Sequence, residues 1–280
     1  MTTPPRLTDR PALTQHRARA RMDQARFLHD EALAQIQERL EEVNRSFTSP
    51  AIVTAHPEIW GNAIESARIV ADGETLALTE QAHDLVIHAM TLHWADDPVG
   101  QMVQARRALK PDGLFIAVFL GGQTLAELRA VLAEAEAKTR GGLSPRVAPM
   151  GEIRDLGGAL QRAGFALPVA DSTPMTVTYA NAVGLMHDLR AMGETNALAN
   201  RDRRFTPRAL FAQANALYEQ HYHNGADRIA ATFDLVFLTG WAPDETQPKP
   251  LRPGSAKTRL ADALGVPELK TQDPVRPPHD

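Results

Sequence analysis

There is no cysteine among the 280 residues of this chain. That absence excludes disulfides, iron–sulfur clusters, thiolate zinc sites and a cysteine nucleophile. No apolar stretch reaches membrane-spanning length, so stable membrane insertion is not expected. The opening MTTPPRLTDRPALTQHRARARMDQ lacks the apolar core of a secretory signal. It is rich in arginine and poor in acids, which fits a transit peptide or, more plainly, a basic opening helix; the cytoplasm is the default location. A basic excess is missing too. The formal net charge is −4, whereas a nucleic-acid partner demands a basic footprint. What remains, 43% hydrophobic and 23% charged residues, is the composition of a soluble globular protein with a real core.

Three zones follow from the patterning. In residues 8–46, Leu33, Ile36, Leu40 and Val43 recur at helical spacing with charges between them. Residues 50–241 alternate short apolar runs with amphipathic stretches. The runs are 51–55, 68–71, 84–90, 114–119, 175–179 and 232–241. The helical patterns lie near 98–109, 124–139, 152–163, 182–192 and 207–222. Strands buried on both faces and separated by helices predict a largely parallel sheet in an α/β fold. Residues 242–280 read as a proline-rich surface tail, with a short helix near Thr258–Leu264. The zones give an N-terminal helical extension over 1–48, an α/β domain over 49–241 with a helical lid at about 140–222, and a tail over 242–280.

The stretch HDLVIHAMTLHWADDPVGQMVQARRALKPDGLFIAVFLGGQTLAELRAVL resembles the second half of a class I S-adenosylmethionine (SAM) methyltransferase domain. The phrases GGQTLAELR, GGLSPRVAP, DLGGALQRAGF, LMHDLRAMGETNAL and FLTGW…RPGSA are similar to the mitochondrial respiratory complex I assembly factor 5 family. Biotin-pathway malonyl-carrier O-methyltransferases are more distant relatives. The resemblance covers about residues 8–262. It implies a Rossmann-like class I methyltransferase fold, SAM as cofactor, and a respiratory-complex subunit or another protein as partner. Within the family, arginine hydroxylation of a complex I subunit is an associated activity, so methyl transfer is not the only chemistry implied.

One stretch departs from that pattern. Relatives carry Asp-Leu-Gly-Cys-Gly-x-Gly after the first strand, where glycines let the backbone approach the ligand and present N–H groups to its carboxylate. Here the matching positions read Thr54-Ala55-His56-Pro57-Glu58. Proline has no N–H to donate, and Glu58 would repel a carboxylate. Ala55 to Ala67 spans 13 residues, and a parallel crossover needs about a dozen. One short helix beginning at Pro57 fits; a further strand with its helix does not. The expected sheet therefore lacks the family's second strand, whose terminal acid holds the ribose. SAM binding is expected to be weak or lost. A different small pocket formed by Thr54, His56 and Asp72 is the competing view.

The resemblance nominates further residues. Ala71-Asp72-Gly73 matches the loop whose Asp contacts adenine, although an Asp-Gly turn accounts for it equally. Thr54, Ala89 and Met90 would line the cofactor crevice at the strand ends; plain core is the alternative. His93 and Trp94 would stand at its mouth, His93 as a general base and Trp94 as a cap, or both as packing. Thr124-Leu125-Ala126-Glu127 fits a capping box, with Gly121, Gly122, Gln123 and Arg129 edging the cleft. Glu194, Asn196 and Arg201, in the polar loop MGETNALANRDRRF, are candidates for partner contact, and that loop is expected to pack with RGGLSPRVAPMGEIRD over the strand ends. Asp96-Asp97 before Pro98 marks a helix start. His221 and His223 read as surface histidines without a third metal ligand, so no metal is expected. Three functions remain open: a SAM-using enzyme of the assembly-factor type, a non-enzymatic interaction protein of the same fold, and a small-molecule carboxyl O-methyltransferase.

Overall fold

Asp9, Asp97 and Asn181 each place a side-chain oxygen on a backbone N–H two or three residues ahead, at 3.2, 2.7 and 2.9 Å. Such caps fix where helices begin. In the computed structural model, which describes residues 6–225, 227–248 and 265, they open α1 (Arg10–Ala18), α4 (Pro98–Ala108) and α7 (Ala182–Ala191). The other helices are α2 (Phe27–Val43), α3 (Pro57–Trp60), α5 (Ala126–Arg140), α6 (Ile153–Ala163) and α8 (Arg208–His221). The helical zone expected over 8–46 is two helices. The chain turns between them where Met22 and Ala25 are buried and the Arg21 N–H donates to Ala191 O at 2.7 Å.

The strands are β1 (Pro50–Thr54), β2 (Arg68–Val70), β3 (His83–Ala89), β4 (Leu109–Gly121), β5 (Ala166–Tyr179) and β6 (Ile229–Trp241). They form one sheet in the order β2-β1-β3-β4-β6-β5. The first four are parallel, and β6 and β5 return antiparallel. Between β1 and β2 there is only α3, and β2 hydrogen-bonds β1 directly through Ala51–Arg68, Ile52–Ile69 and Val53–Val70. The expected sheet without the family's second strand is the sheet observed. Helices cover both faces. Ile52, Leu85, Ile87, Ile116 and Val118 pack toward α2, α5, α7 and α8. Val86, Phe115 and Ala117 pack toward α4 and α6.

β5 is longer than the run 175–179 that the sequence marks. Its burial alternates along an edge strand, and Pro168 and Pro174 interrupt its apolar pattern; prolines are tolerated on an edge because their missing N–H is not needed there. The span 140–222 consequently does not behave as one lid. α6 and β5 belong to the sheet and its covering layer, α7 and α8 to the layer on the other face, and within the span the loops around 141–152 and 193–207 reach the strand ends. The capping box is also corrected. Thr124 accepts from Asp234 N at 2.9 Å, Glu127 accepts from Thr232, and Leu125, in a left-handed conformation (φ 55°), opens α5 without a side-chain cap. Both side chains serve β6 instead. Residues 245–280 form a separate unit, and the helix expected near 258–264 lies outside the described residues.

Gly122 sits at φ 52°, and a Cβ there would stand 2.4 Å from Asp234 Oδ2. Gly141 has φ 68° with nothing within 4 Å of its Cβ position. Gly122→Ala should therefore cost about 2–3 kcal/mol in denaturant unfolding and Gly141→Ala about 1 kcal/mol. Equal losses would show that the Asp234 clash is absent.

Candidate functional site

Parallel strands place their C-terminal ends on one edge, where side chains of several loops converge. Here that edge collects Thr54 from β1, Ala71-Asp72-Gly73 from β2, Ala89-Met90 from β3 and Gly121-Gly122 from β4. Met90 is buried at φ 56°, an uncommon conformation for a side chain of this size. Its N–H donates to Val118 O at 2.7 Å, which holds it there.

The N-terminal segment closes over this edge. Thr8 pairs with Leu198, and the amides of Leu7 and Thr8 donate to Asp96 Oδ1 at 2.9 and 2.8 Å. Thr8 Oγ1 donates to Trp94 O at 2.9 Å. α1 then presents two arginines to Asp72. Arg17 Nη1 lies 2.7 Å from Asp72 Oδ2, and Arg10 reaches both the carboxylate and the backbone carbonyl of Asp72. The residue expected to hold the cofactor's adenine is thus ion-paired to the protein's own helix.

The loop after β1 is likewise closed on itself. His56 N donates to Thr54 Oγ1 at 3.1 Å, and His56 Nδ1 lies 3.1 Å from Glu58 Oε1. Pro57 starts α3, as expected. Trp60, fully buried, donates to His29 Nδ1 at 3.0 Å, and the His29 and His56 rings stack edge to face at 5.0 Å. Burial pushes the His29 pKa down to about 3, aided by the nearby His56. His88, buried in β3, meets Gln101 Oε1 at 2.7 Å, while Gln101 Nε2 donates to Gly73 O at 3.0 Å. Burial pushes the His88 pKa down to about 4.

Beyond Met90 a 3₁₀ turn (Leu92–Trp94) carries His93 and Trp94. Both donate to one carboxylate: Trp94 Nε1 to Glu194 Oε2 at 2.6 Å, and His93 Nε2 to the same oxygen at 3.1 Å. Burial alone would raise the Glu194 pKa; His93 and Arg17, with the Trp94 N–H, hold it down to about 2. These three side chains form one wall of a cavity of about 230 Å³. Its body is apolar, with Leu125, Leu128, Leu132, Met186 and Phe211, and Arg146, Arg190 and Asn196 add polar groups.

The remaining candidates hold the architecture. Gly121 and Gly122 let the β4 turn approach Val236 and Asp234, and Gln123 N donates to Asp234 Oδ2 at 2.7 Å. Arg129 donates to Ala148 O at 3.1 Å. Asn196 donates to Pro145 O at 2.9 Å, joining the two polar loops, and Arg201 Nη1 binds Asp9 Oδ2 at 2.8 Å. Of the predicted residues, the structure brings His93, Trp94, Glu194 and Asn196 to one cavity, and Thr54, Ala71, Asp72, Gly73, Ala89 and Met90 to the strand ends. Gly121 and Gly122 also stand at the strand ends, while Gln123, Arg129 and Arg201 line neither. Among the described residues no group of three His, Asp or Glu side chains could hold a metal, and no helix is long and apolar enough to cross a membrane.

Residues 31–117 match a family described as a methyltransferase domain. A human protein named arginine-hydroxylase NDUFAF5, mitochondrial, is 38% identical over 79% of this chain and 64% of its own length. The Dictyostelium discoideum protein of that name is 41% identical over 68% of this chain and 43% of its own. A malonyl-acyl carrier protein O-methyltransferase of Xylella fastidiosa is 33% identical over 66% and 59%. The chain carries a methyltransferase-domain match and has the Rossmann-like class I methyltransferase fold. It is similar to the NDUFAF5 proteins and spans 43–64% of the length of the two named here. The solved YcgJ protein of Bacillus subtilis shares the fold, with a TM-score of 0.50 at 11% identity over 77% of this chain and all of that one.

Several site residues were not singled out from the sequence. Arg10 and Arg17 carried a signal in the arginine-rich opening, and His88 carried one as a lone histidine within the apolar run LVIHA. Arg146, Arg190 and Phe211 carried none, because they meet only through tertiary packing.

His29 and His88 stay neutral in the fold well below the ordinary histidine value of 6.5. Their contribution to stability is present above pH 6.5 and is lost as pH falls toward 4 for His88 and 3 for His29, because the unfolded chain takes up the protons first. Stability should drop between pH 6.5 and 5 by on the order of 1 kcal/mol per pH unit for each histidine. Glu194 is silent in that window, since its contribution is lost only as pH falls from about 4.5 toward 2. Denaturant midpoints of the protein and of His88→Gln between pH 7 and 5 check this; His88→Gln should show the shallower slope, and identical slopes would refute the assignment.

Proposed function

We propose that this protein is a partner-binding member of the class I methyltransferase superfamily whose cofactor end no longer fits SAM. The observation that carries the reading is the closure of Asp72 by Arg17 and Arg10. A carboxylate already paired at 2.7 Å in a largely buried setting gives up a charge-assisted bond, about 1.5–3 kcal/mol, to accept a ligand. At the β1 loop, Thr54 Oγ1 is taken by His56 N, and Pro57 supplies no N–H for the methionine carboxylate. The residues present do not fit the cofactor.

The cavity supports binding of a protein side chain. NDUFAF5 relatives carry the name arginine-hydroxylase, and an arginine suits this cavity. Its aliphatic stem would lie along Leu125, Leu128 and Leu132, and its guanidinium would meet Glu194, both of whose bonds go to Oε2. Planar, charge-assisted pairing of this kind is what arginine does best. The partner in this reading is a respiratory-complex subunit or another protein, met in the cytoplasm; the relatives' names carry the word mitochondrial.

Calorimetric titration with SAM should give a dissociation constant on the order of 100 μM or weaker, and a sub-micromolar value would sink the cofactor half of the reading. A short apolar peptide with one central arginine should bind more tightly than its citrulline counterpart, and Glu194→Gln should erase that preference. A citrulline peptide that binds equally well would sink the cavity half.

A further inference from the structure

Most arginines near the site have found partners. Arg10 and Arg17 hold Asp72, Arg201 and Arg203 hold Asp9, and Arg146 holds Glu136. Three have not. Arg19 and Arg21, in the connection between α1 and α2, and Arg190, in the last turn of α7, are exposed, and no ion pair or side-chain hydrogen bond reaches them among the described residues.

These three line a single cleft of about 890 Å³, together with His16, His187 and Gln24. Among the described residues no acidic side chain lines it. His16 reports the local field: its ring meets Thr195 O at 3.1 Å, and its pKa is lowered by burial first and then by Arg201, Arg19 and Arg190. The hydrogen bond to Thr195 O favours the proton, and the three arginines add to burial in opposing it.

The cleft continues at both ends. Arg190 and Thr195 are shared with the apolar cavity at Glu194. Gln24, His187 and Ala191 are shared with a recess of about 530 Å³ that contains Phe27, Val177 and Tyr179. In that recess Asp188 is occupied by the Tyr179 hydroxyl at 2.9 Å. The surface therefore runs from apolar through cationic to mixed apolar and polar.

We propose that this continuous groove binds an extended acidic segment of a partner protein, its carboxylates set on Arg19, Arg21 and Arg190. Flanking those carboxylates, the segment places its arginine in the cavity, as above, and an apolar side chain in the Phe27–Tyr179 recess. A polynucleotide suits the groove less well. Its phosphates recur along the whole strand, whereas a carboxylate lines each end of this groove, Glu194 in the cavity and Asp188 in the recess, and the chain as a whole carries a net charge of −4. The inference rests on the partner-binding reading above and names the chemistry of the partner.

The test uses the full chain and a fluorescein-labelled peptide in which glutamates are flanked by leucines, read by fluorescence anisotropy. Controls are the same peptide with glutamine for glutamate and a single-stranded oligonucleotide of equal charge. The glutamate peptide should bind more tightly than both, and its affinity should fall with salt. Replacing Arg19, Arg21 and Arg190 together with alanine should weaken it about tenfold or more, whereas replacing all three with lysine should retain most of the binding. All three side chains are exposed, so the melting temperature should stay within a few degrees, which separates lost contact from lost fold. Unchanged peptide affinity in the alanine variant, or an oligonucleotide that binds as well as the peptide, would overturn the groove assignment. The arginine-peptide measurement with Glu194→Gln reads the cavity independently. A groove failure with an intact arginine preference leaves the cavity reading standing, and the converse holds as well.

Discussion

Asp72 carries its charge into the crowded end of a parallel sheet, and a carboxylate placed there needs a cation. Arg17 supplies it at 2.7 Å, with Arg10 beside it. Both arginines come from α1, so this one pairing fixes the N-terminal segment across the strand ends. The consequences run outward from there. Asp9 caps α1 and takes Arg201 from the distant loop, residues 7–9 pair with 197–199, and Thr8 ties the same segment to Trp94 and Asp96. Breaking one partner of such a buried pair leaves an uncompensated charge, which costs far more than the pair itself contributes.

The same pairing stands between two regions of different character. On one side lie the buried imidazoles of His29, His56 and His88 at the ends of β1 and β3, where His56 Nε2 is buried without a hydrogen-bond partner among the described residues. On the other lies the apolar cavity, reached past His93, Trp94 and Glu194. Glu194 belongs to both. It stays ionised because His93 and Arg17 outweigh the cost of burial, so the cavity keeps a fixed negative charge at its wall. An anionic wall inside, with unpaired arginines outside, gives the surface a polarity that an apolar pocket alone would lack.

Much of the fold was legible in the sequence. Helical periodicity placed α4 to α8 to within about two residues, because each buries one face and opens or closes on a recognisable residue. The 13 residues from Ala55 to Ala67 were too few for a strand with its helix, and β2 accordingly lies against β1. β5 was largely missed, since an edge strand with two prolines and alternating exposure carries little apolar signal. Thr124 and Glu127 matched a capping box, yet both turn to β6, where Asp234 and Thr232 offer buried backbone and side-chain partners. A local motif yields when a long-range bond satisfies a more deeply buried group.

For the site, chain order alone determined which side chains stand at the strand ends: Thr54, Asp72, Ala89, Met90 and Gly121 follow from where apolar runs stop in a parallel sheet. It also determined that the loop after β1 carries proline and histidine in place of glycine. Tertiary structure decided which of those side chains remain available to a ligand. Asp72 meets Arg17 across 55 positions, Trp94 meets Glu194 across 100, and Arg201 meets Asp9 across 192. No local pattern encodes such pairings, because they depend on which charges the packed helices leave without water, and burial forces each of those charges to find its partner wherever the fold has brought one near.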